Sequence, residues 1–239
     1  MCGIVGIIGQ QASKENVKKM LFEQQHRGPD YTGLWCDEKK IALGHNRLSI
    51  IDLSSDANQP FVSDCGNYML VFNGEIYNYL EIKKELSHKY TFKTKSDTEV
   101  LLNAYKEYGN DCLHKFNGMF AFAIWNKKEK KLFAARDRFG VKPFNYIHQN
   151  DDFFFASEIN PFWQMDVAKE KNEKVWLNYF CEGSYGLPNE TFWKNIHQLP
   201  AGHFLEYTTN NLVIKKWYHF EDKIAELQQL KQIDEEEFI

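Results

Sequence analysis

The sequence predicts an α+β domain built as antiparallel sheets covered by helices. Strand-length apolar runs outnumber helical stripes, the helices come in pairs between groups of strands, and no internal repeat or low-complexity segment interrupts the pattern. Residues 3–9 (Gly3-Ile4-Val5-Gly6-Ile7-Ile8-Gly9) form an unbroken apolar run with no solvent face, which reads as a fully buried strand. Val17, Met20 and Leu21 stand at i, i+3, i+4 and predict a helix over roughly 14–24. Gly28-Pro29-Asp30 signals a turn. Strands follow near 41–45 and 68–72, separated by an irregular stretch through Gln59-Pro60. Helices are expected around 78–88 (Tyr79, Ile82, Leu86) and 97–108 (Val100, Leu101, Ala104, Tyr105, Tyr108). Ser96 with Glu99 three residues on reads as an N-cap with a capping-box carboxylate.

Met119–Trp125 is a buried strand run, paired with Lys131–Ala135 across residues 126–130. Further strands are expected near 144–148, 152–157, 203–208 and 212–217, the last two joined by Thr209-Asn210-Asn211. From about Asp222 the character changes. Ile224, Leu227, Leu230 and Ile233 recur at three-residue spacing before the acidic end Asp234-Glu235-Glu236-Glu237-Phe238-Ile239, which suits a surface helix or the first helix of a following unit.

The 239 residues suffice for one large domain, or one domain plus a tail, and 43% hydrophobic with 15% aromatic content belongs to an ordinary globular chain. A formal charge of −4 with scattered basic residues gives no reason to expect nucleic acid or an anionic membrane as a partner. Five cysteines (Cys2, Cys36, Cys65, Cys112, Cys181), odd in number and widely spaced, argue against a disulfide framework or zinc site and suit a reducing, cytoplasmic location. The apolar N-terminus lacks a basic n-region and is broken by glycines, so it does not read as a signal peptide, and no run reaches the length of a membrane span.

Cys2 carries the sharpest chemical signal. Removal of Met1 would leave a thiol and a free α-amine on one residue, and an amine with an unperturbed pKa of roughly 7.7–8.0 can take the thiol proton near neutrality. The alternative is a buried cysteine that happens to lie second. Asn73-Gly74-Glu75 follows the run Tyr68–Phe72 directly, so the Asn73 amide and the Gly74 N–H are suitable donors for an oxyanion, although Asn-Gly is also a common turn. Arg47, just past a strand, is either a structural ion pair or a bidentate fork for a ligand carboxylate. Asp97 is either part of a helix cap or, with Glu75, a holder of a ligand ammonium. An Arg with two carboxylates describes a pocket for a free amino acid. His26 and His45 invite a rival Cys–His dyad, but neither sits in a nucleophile elbow.

Eight blocks then stand in order: Met1-Cys2-Gly3-Ile4, Arg27-Gly28-Pro29-Asp30, Arg47-Leu48-Ser49-Ile50, Asn73-Gly74-Glu75-Ile76-Tyr77-Asn78, Ser96-Asp97-Thr98-Glu99, Asn117–Phe122, Arg136–Pro143 and Ala156-Ser157-Glu158-Ile159. Together they resemble the glutamine-hydrolysing domain of asparagine synthetases, a class II glutamine amidotransferase of the N-terminal nucleophile hydrolase type. Leu199–His203 and Trp217-Tyr218 extend the resemblance to about residue 220. Relatives that aminate sugar phosphates or purine precursors share the Cys start, but the Arg27 and Asn73 blocks look like the asparagine synthetase branch.

The resemblance implies a four-layer α/β/β/α sandwich, Cys2 as nucleophile with its own α-amine as base, and Asn73 and Gly74 as the oxyanion hole. It further implies Arg47 on the glutamine carboxylate, Glu75 and Asp97 on its ammonium, and the backbone of Leu48, Ser49, Ile50 and Ile51 lining the pocket. The chain departs from the pattern at Asn46, where the family often has Arg, and at Phe144-Asn145-Tyr146, where it often has Leu-Tyr-Tyr. No Ser-Gly-Gly-x-Asp-Ser loop of an ATP-binding synthetase occurs. The expected organisation is therefore a glutaminase domain over 2–220, with 221–239 as a tail or linker to an absent ATP-dependent synthetase domain. No metal or cofactor is expected in this domain, and ATP and Mg only in the synthetase. The expected partners are glutamine and an ammonia-using synthetase, in the same chain or as a separate subunit, with a homodimer compatible. The alternative readings are a non-catalytic or regulatory ammonia-delivery module, or the glutaminase subunit of another amidotransferase.

Overall fold

Apolar runs without a polar face must be covered on both sides, and this chain covers them by stacking two sheets. The computed structural model describes residues 1–37, 40–209 and 211–230. In chain order the elements are β1 (Gly3–Ile8), α1 (Lys14–Glu23), β2 (Tyr31–Asp37), β3 (Ile41–Arg47), β4 (Phe61–Val62), β5 (Tyr68–Ile76), α2 (Tyr79–Leu86), α3 (Asp97–Tyr108), α4 (Cys112–Lys115), β6 (Gly118–Asn126), β7 (Lys131–Arg136), β8 (Asn145–Gln149), β9 (Asp152–Ala156), α5 (Glu173–Glu182), β10 (His197–Gln198), β11 (His203–Thr208), β12 (Asn211–Lys216) and α6 (Phe220–Leu230). One six-stranded sheet runs β10-β8-β9-β1-β3-β2 and the other β12-β11-β7-β6-β5-β4. Every ladder is antiparallel.

The period-2 alternation of strands sorts each buried run between two cores. Along β1, Val5 and Ile7 face Val17, Met20 and Leu21 of α1, whereas Ile4 and Ile8 face the other sheet. Along β5, Met69 and Val71 point between the sheets, and Leu70 and Phe72 pack with Ile82 of α2 and Val100 and Leu101 of α3. The result is helix, sheet, sheet, helix: the four-layer sandwich of antiparallel sheets. Asn46 has its own structural use, its Nδ2 donating to the Leu21 carbonyl at 2.8 Å and its Oδ1 accepting from Thr32 at 3.0 Å.

Several local expectations change. The strand before Asn73 does not end there: β5 continues to Ile76, paired with β6 as Asn73↔Ala121, Gly74↔Phe120 and Glu75↔Met119. Ser96 caps α3 by accepting from Thr98 N–H at 3.1 Å, but Glu99 does not close a capping box. Its carboxylate reaches back to the N–H groups of Lys93 and Thr94, at 3.0 and 2.7 Å. The helix expected over 78–88 is the shorter α2, and the final hairpin strand begins at Asn211 rather than 212, while Asn210 lies outside the described residues. β2, β4, α4, β10 and α5 were not legible. β2 is an edge strand with mixed burial, and α5 fully buries only Val175 while Leu177 and Phe180 stay exposed. α6 spans the expected boundary at 220/221; residues 231–239, with the acidic end, lie outside the described residues.

Gly6 pairs with Leu43 and Phe155 in the middle of the sheet, and a Cβ there would run into the Phe155 ring. That ring is already stacked on Phe144 at 5.3 Å between centroids. Gly6→Ala should therefore lower stability by about 1–3 kcal/mol through overpacking. Urea unfolding of the variant checks this, and an unchanged midpoint would show that the aromatic layer can yield.

Candidate functional site

The residues just before β1, the end of β3, the second half of β5 and the start of α3 meet at one end of the sandwich. They enclose a cleft of about 210 Å³. Cys2, Arg47, Leu48, Ile50, Ile51, Asn73, Gly74, Glu75 and Asp97 all line it. Ser49 does not: its N–H is taken by the Asp30 carboxylate at 2.7 Å, which anchors the chain after β3 to the Gly28-Pro29-Asp30 turn.

Cys2 is held from both sides. Its carbonyl accepts from Arg27 Nε at 2.9 Å, and Arg27 Nη1 is in turn bound to Glu158 at 2.9 Å. The thiol faces Leu48, donating to its carbonyl at 3.6 Å and accepting from its N–H at 3.4 Å. Burial pushes the thiol pKa up, opposed by the Leu48 N–H and by the positive charges of the chain's N-terminus and Arg47. With Met1 in place the sulfur is therefore a protonated thiol at neutral pH. A local base is needed to activate it.

Opposite lies an open stretch of sheet edge. β4 pairs only with Leu70 and Met69, and among the described residues β5 has no neighbouring strand beyond them on that side. Backbone groups alternate in direction along a strand, and those of residues 72, 74 and 76 point to the open edge. Phe72 N–H donates to Gln59 Oε1 at 2.6 Å, and Ile76 N–H to Asp97 Oδ2 at 3.0 Å. Gly74, between them, directs its N–H into the cleft. A Cβ at Gly74 would meet the Met119 carbonyl and the Phe72 ring, so only glycine fits. The adjacent Asn73 side chain is buried, and its Nδ2 has no hydrogen-bond partner among the described residues. A buried amide donor left unsatisfied beside a cysteine is a group waiting for an acceptor.

The charged groups sit around the same space. Arg47 Nη1 donates to the Ser54 carbonyl at 2.8 Å and to Asn58 Oδ1 at 2.6 Å, and Nη2 donates to the Asp52 carbonyl. Three of a guanidinium's five N–H groups thus staple the 52–58 loop. Asp97, at the start of α3, is buried, and that burial pushes its carboxyl up to about 6 despite hydrogen bonds from Ile76 and Ser96; the Glu75 charge adds to the rise. Such a carboxylate gains most from a cation that replaces its lost hydration.

Lys142 also lines the cleft, although nothing in its sequence context assigns it a role. Burial and the nearby Arg27 charge lower its pKa, opposed by Cys2, Asp137 and Glu75. Its backbone N–H is bound to Asp137 Oδ2 at 2.9 Å, so the Arg136–Pro143 block acts as a rigid support for it. The one signal in the sequence is a lysine closing a block rich in turn residues. The two histidines do not form a dyad with the thiol. His26 Nε2 lies 2.9 Å from Glu158, and His45 Nε2 donates to the Phe72 carbonyl at 3.1 Å.

Comparison with known proteins agrees with this architecture. The family description "Glutamine amidotransferase domain" matches residues 1–218. The chain is 38% identical over 246 residues to a putative asparagine synthetase [glutamine-hydrolyzing] 2 of Methanocaldococcus jannaschii, covering 92% of this chain and 47% of that protein. It is 47% identical over 165 residues to asparagine synthetase [glutamine-hydrolyzing] 1 of Bacillus subtilis, covering 66% of this chain and 26% of that one. Among solved structures, glutamine phosphoribosylpyrophosphate amidotransferase of B. subtilis superposes with a TM-score of 0.66 at 21% identity, over 91% of this chain and 49% of that chain, a likeness of fold. The chain belongs to the glutamine amidotransferase domain family, in its class II branch. It spans half or less of the length of these curated relatives.

Asp97 has a consequence independent of any ligand. Its carboxyl is raised from 3.8 to about 6, so across that window the folded state holds a proton the unfolded chain releases, and stability falls as pH rises. Asp97→Asn should abolish this slope. Urea titrations should show wild type gaining stability relative to the variant as the pH drops from about 7 to 4; a constant difference would contradict the assignment.

Proposed function

We propose that this chain hydrolyses glutamine to glutamate and ammonia through a γ-glutamyl thioester on Cys2. The observation that carries the reading is the buried, unpartnered Asn73 Nδ2 lining, with the Gly74 N–H, the same cleft as the Cys2 thiol. Removal of Met1 frees an α-amine beside that thiol. The neutral amine takes the thiol proton, and sulfur attacks the glutamine side-chain carbonyl. The oxygen, now negative, is received by Asn73 and Gly74. As the tetrahedral adduct collapses, the protonated amine returns its proton to the leaving nitrogen, and ammonia departs. The amine then activates a water that attacks the thioester and releases glutamate.

The other end of glutamine is a zwitterion. Arg47 suits its carboxylate, and Asp97 and Glu75 suit its ammonium. Ammonia made in this cleft needs a consumer. The relatives' names include asparagine synthetase, so the fitting consumer is an ATP- and Mg-dependent synthetase that aminates aspartate, either in the same polypeptide or in a separate subunit.

Protein freed of Met1 should release glutamate from glutamine, and Cys2→Ala should release none. Asn73→Ala should lose about 10²–10³-fold in kcat with KM little changed, because its donor serves the oxyanion rather than the substrate. Coupled glutamate assays, with intact mass to confirm loss of Met1, decide this; an active Cys2→Ala protein removes the proposal. The charge on Asp97 adds a pH signature. Since its carboxyl titrates at about 6, glutamine affinity should fall below that pH, not above it. In Cys2→Ala protein the glutamine Kd should rise about tenfold per unit below pH 6, and the same rise in a Cys2→Ala, Asp97→Asn double variant would show that another group is responsible.

A further inference from the structure

Two side chains outside the assigned set complete the open edge of β5: Gln59, on the cleft wall, and His45, behind it. Phe72 is the first residue of that edge beyond the reach of β4, and both its backbone groups are bonded by side chains. Gln59 Oε1 accepts from its N–H at 2.6 Å and His45 Nε2 donates to its carbonyl at 3.1 Å. Each reaches in from a different part of the fold. Gln59 belongs to the segment before β4, and its Nε2 donates to Thr98 Oγ1 in the first turn of α3 at 3.3 Å, which leaves Oε1 to turn towards Phe72. His45 comes from β3 in the other sheet, where it pairs with Ile4 two residues from the nucleophile.

We infer that His45 and Gln59 are positioning residues for the oxyanion hole, holding the Phe72 backbone so that the Asn73 amide and the Gly74 N–H converge on one point in the cleft. The inference rests on the glutaminase reading. Its physical basis is that a strand edge with no neighbour is free to twist and to bind water, and an oxyanion donor acts only when its direction is set before charge develops. With Phe72 fixed on one side of Gly74 and Ile76 fixed by Asp97 on the other, the Gly74 N–H has little freedom to turn.

His45 is suited to this and little else. A carbonyl can only accept, so Nε2 carries the proton and Nδ1 a lone pair. That Nδ1 is buried with no partner among the described residues. Full burial, and then the Arg47 charge, hold the ring pKa down at about 3, so the imidazole remains a neutral donor throughout the range in which an α-amine can act as base.

The test separates positioning from bulk. His45→Leu and Gln59→Leu, each freed of Met1, should keep KM for glutamine within about twofold of wild type and lose at least tenfold in kcat, a share of the 10²–10³ attributed to a whole oxyanion donor. His45→Gln, which can place an amide N–H near the position of Nε2, should recover most of the loss, as should Gln59→Glu, which keeps the acceptor. Thermal melts identify any variant that fails to fold, and if His45→Leu is one, the kinetics of Gln59→Leu decide between the outcomes. A kcat within twofold of wild type in both leucine variants, a loss confined to KM, or no recovery in the conservative variants overturns the inference. A wild type lacking Met1 that releases no glutamate overturns the glutaminase reading and this one with it. An active wild type with unaffected variants overturns this one alone.

Discussion

The organisation of this molecule turns on an interrupted hydrogen-bond ladder. A sheet edge buried against a cleft must satisfy its N–H and C=O groups, and β5 outlasts its neighbour β4 by more than a turn of pleat. Side chains from β3, from the segment before β4 and from the start of α3 take the place of the missing strand. Gly74 is the position they skip. The site is thus a gap in an otherwise complete set of backbone partners, and the elements supplying those partners are the same ones that carry Arg47 and Asp97.

Cys2 is fixed by similar means. Cys2 precedes β1 and so lies at the margin of regular pairing, yet its carbonyl is tied through Arg27 to Glu158, directly after β9. Ser157 reinforces this, exchanging hydrogen bonds with Ile4: the Ile4 N–H donates to Ser157 Oγ at 3.0 Å and Ser157 N–H to the Ile4 carbonyl at 2.9 Å. The backbone around the sulfur is thereby set by side chains far away in sequence. A released α-amine would sit on a fixed Cα, one Cα–Cβ torsion away from its own thiol.

Antiparallel sheets covered by helices were legible because β1, β6 and β9 are too apolar to tolerate solvent on either face, while the count of four layers came from the family resemblance. The candidate residues were legible as a set because Cys2, Arg47, Asn73 and Asp97 occur in ordered blocks. What sequence alone could not supply was direction. Asn73-Gly74 reads as a strand end, since glycine is a poor strand former, and only the register with Ala121 and Phe120 shows the strand continuing. Glu99 reads as a capping-box residue, but buried loop N–H groups offered it better partners. His45 reads as a candidate base by residue type, whereas its surroundings make it a neutral donor. Lys142 is silent in sequence because its place in the cleft depends on how Asp137 and Arg136 fold the following turn.

Cys2, at the head of β1, and Arg47 lie on one sheet's side, and Asn73, Gly74 and Glu75 belong to the other sheet. No single element holds the thiol against the Asn73 amide and the Gly74 N–H. Their separation is set by the thickness of the side-chain layer between the sheets, where Ile4, Val71, Ala121 and Phe155 interdigitate. That layer therefore works as a spacer whose calibre is written in methylene groups and rings. A volume change in this core well away from the cleft would act on the distance between Cys2 and Asn73 across it.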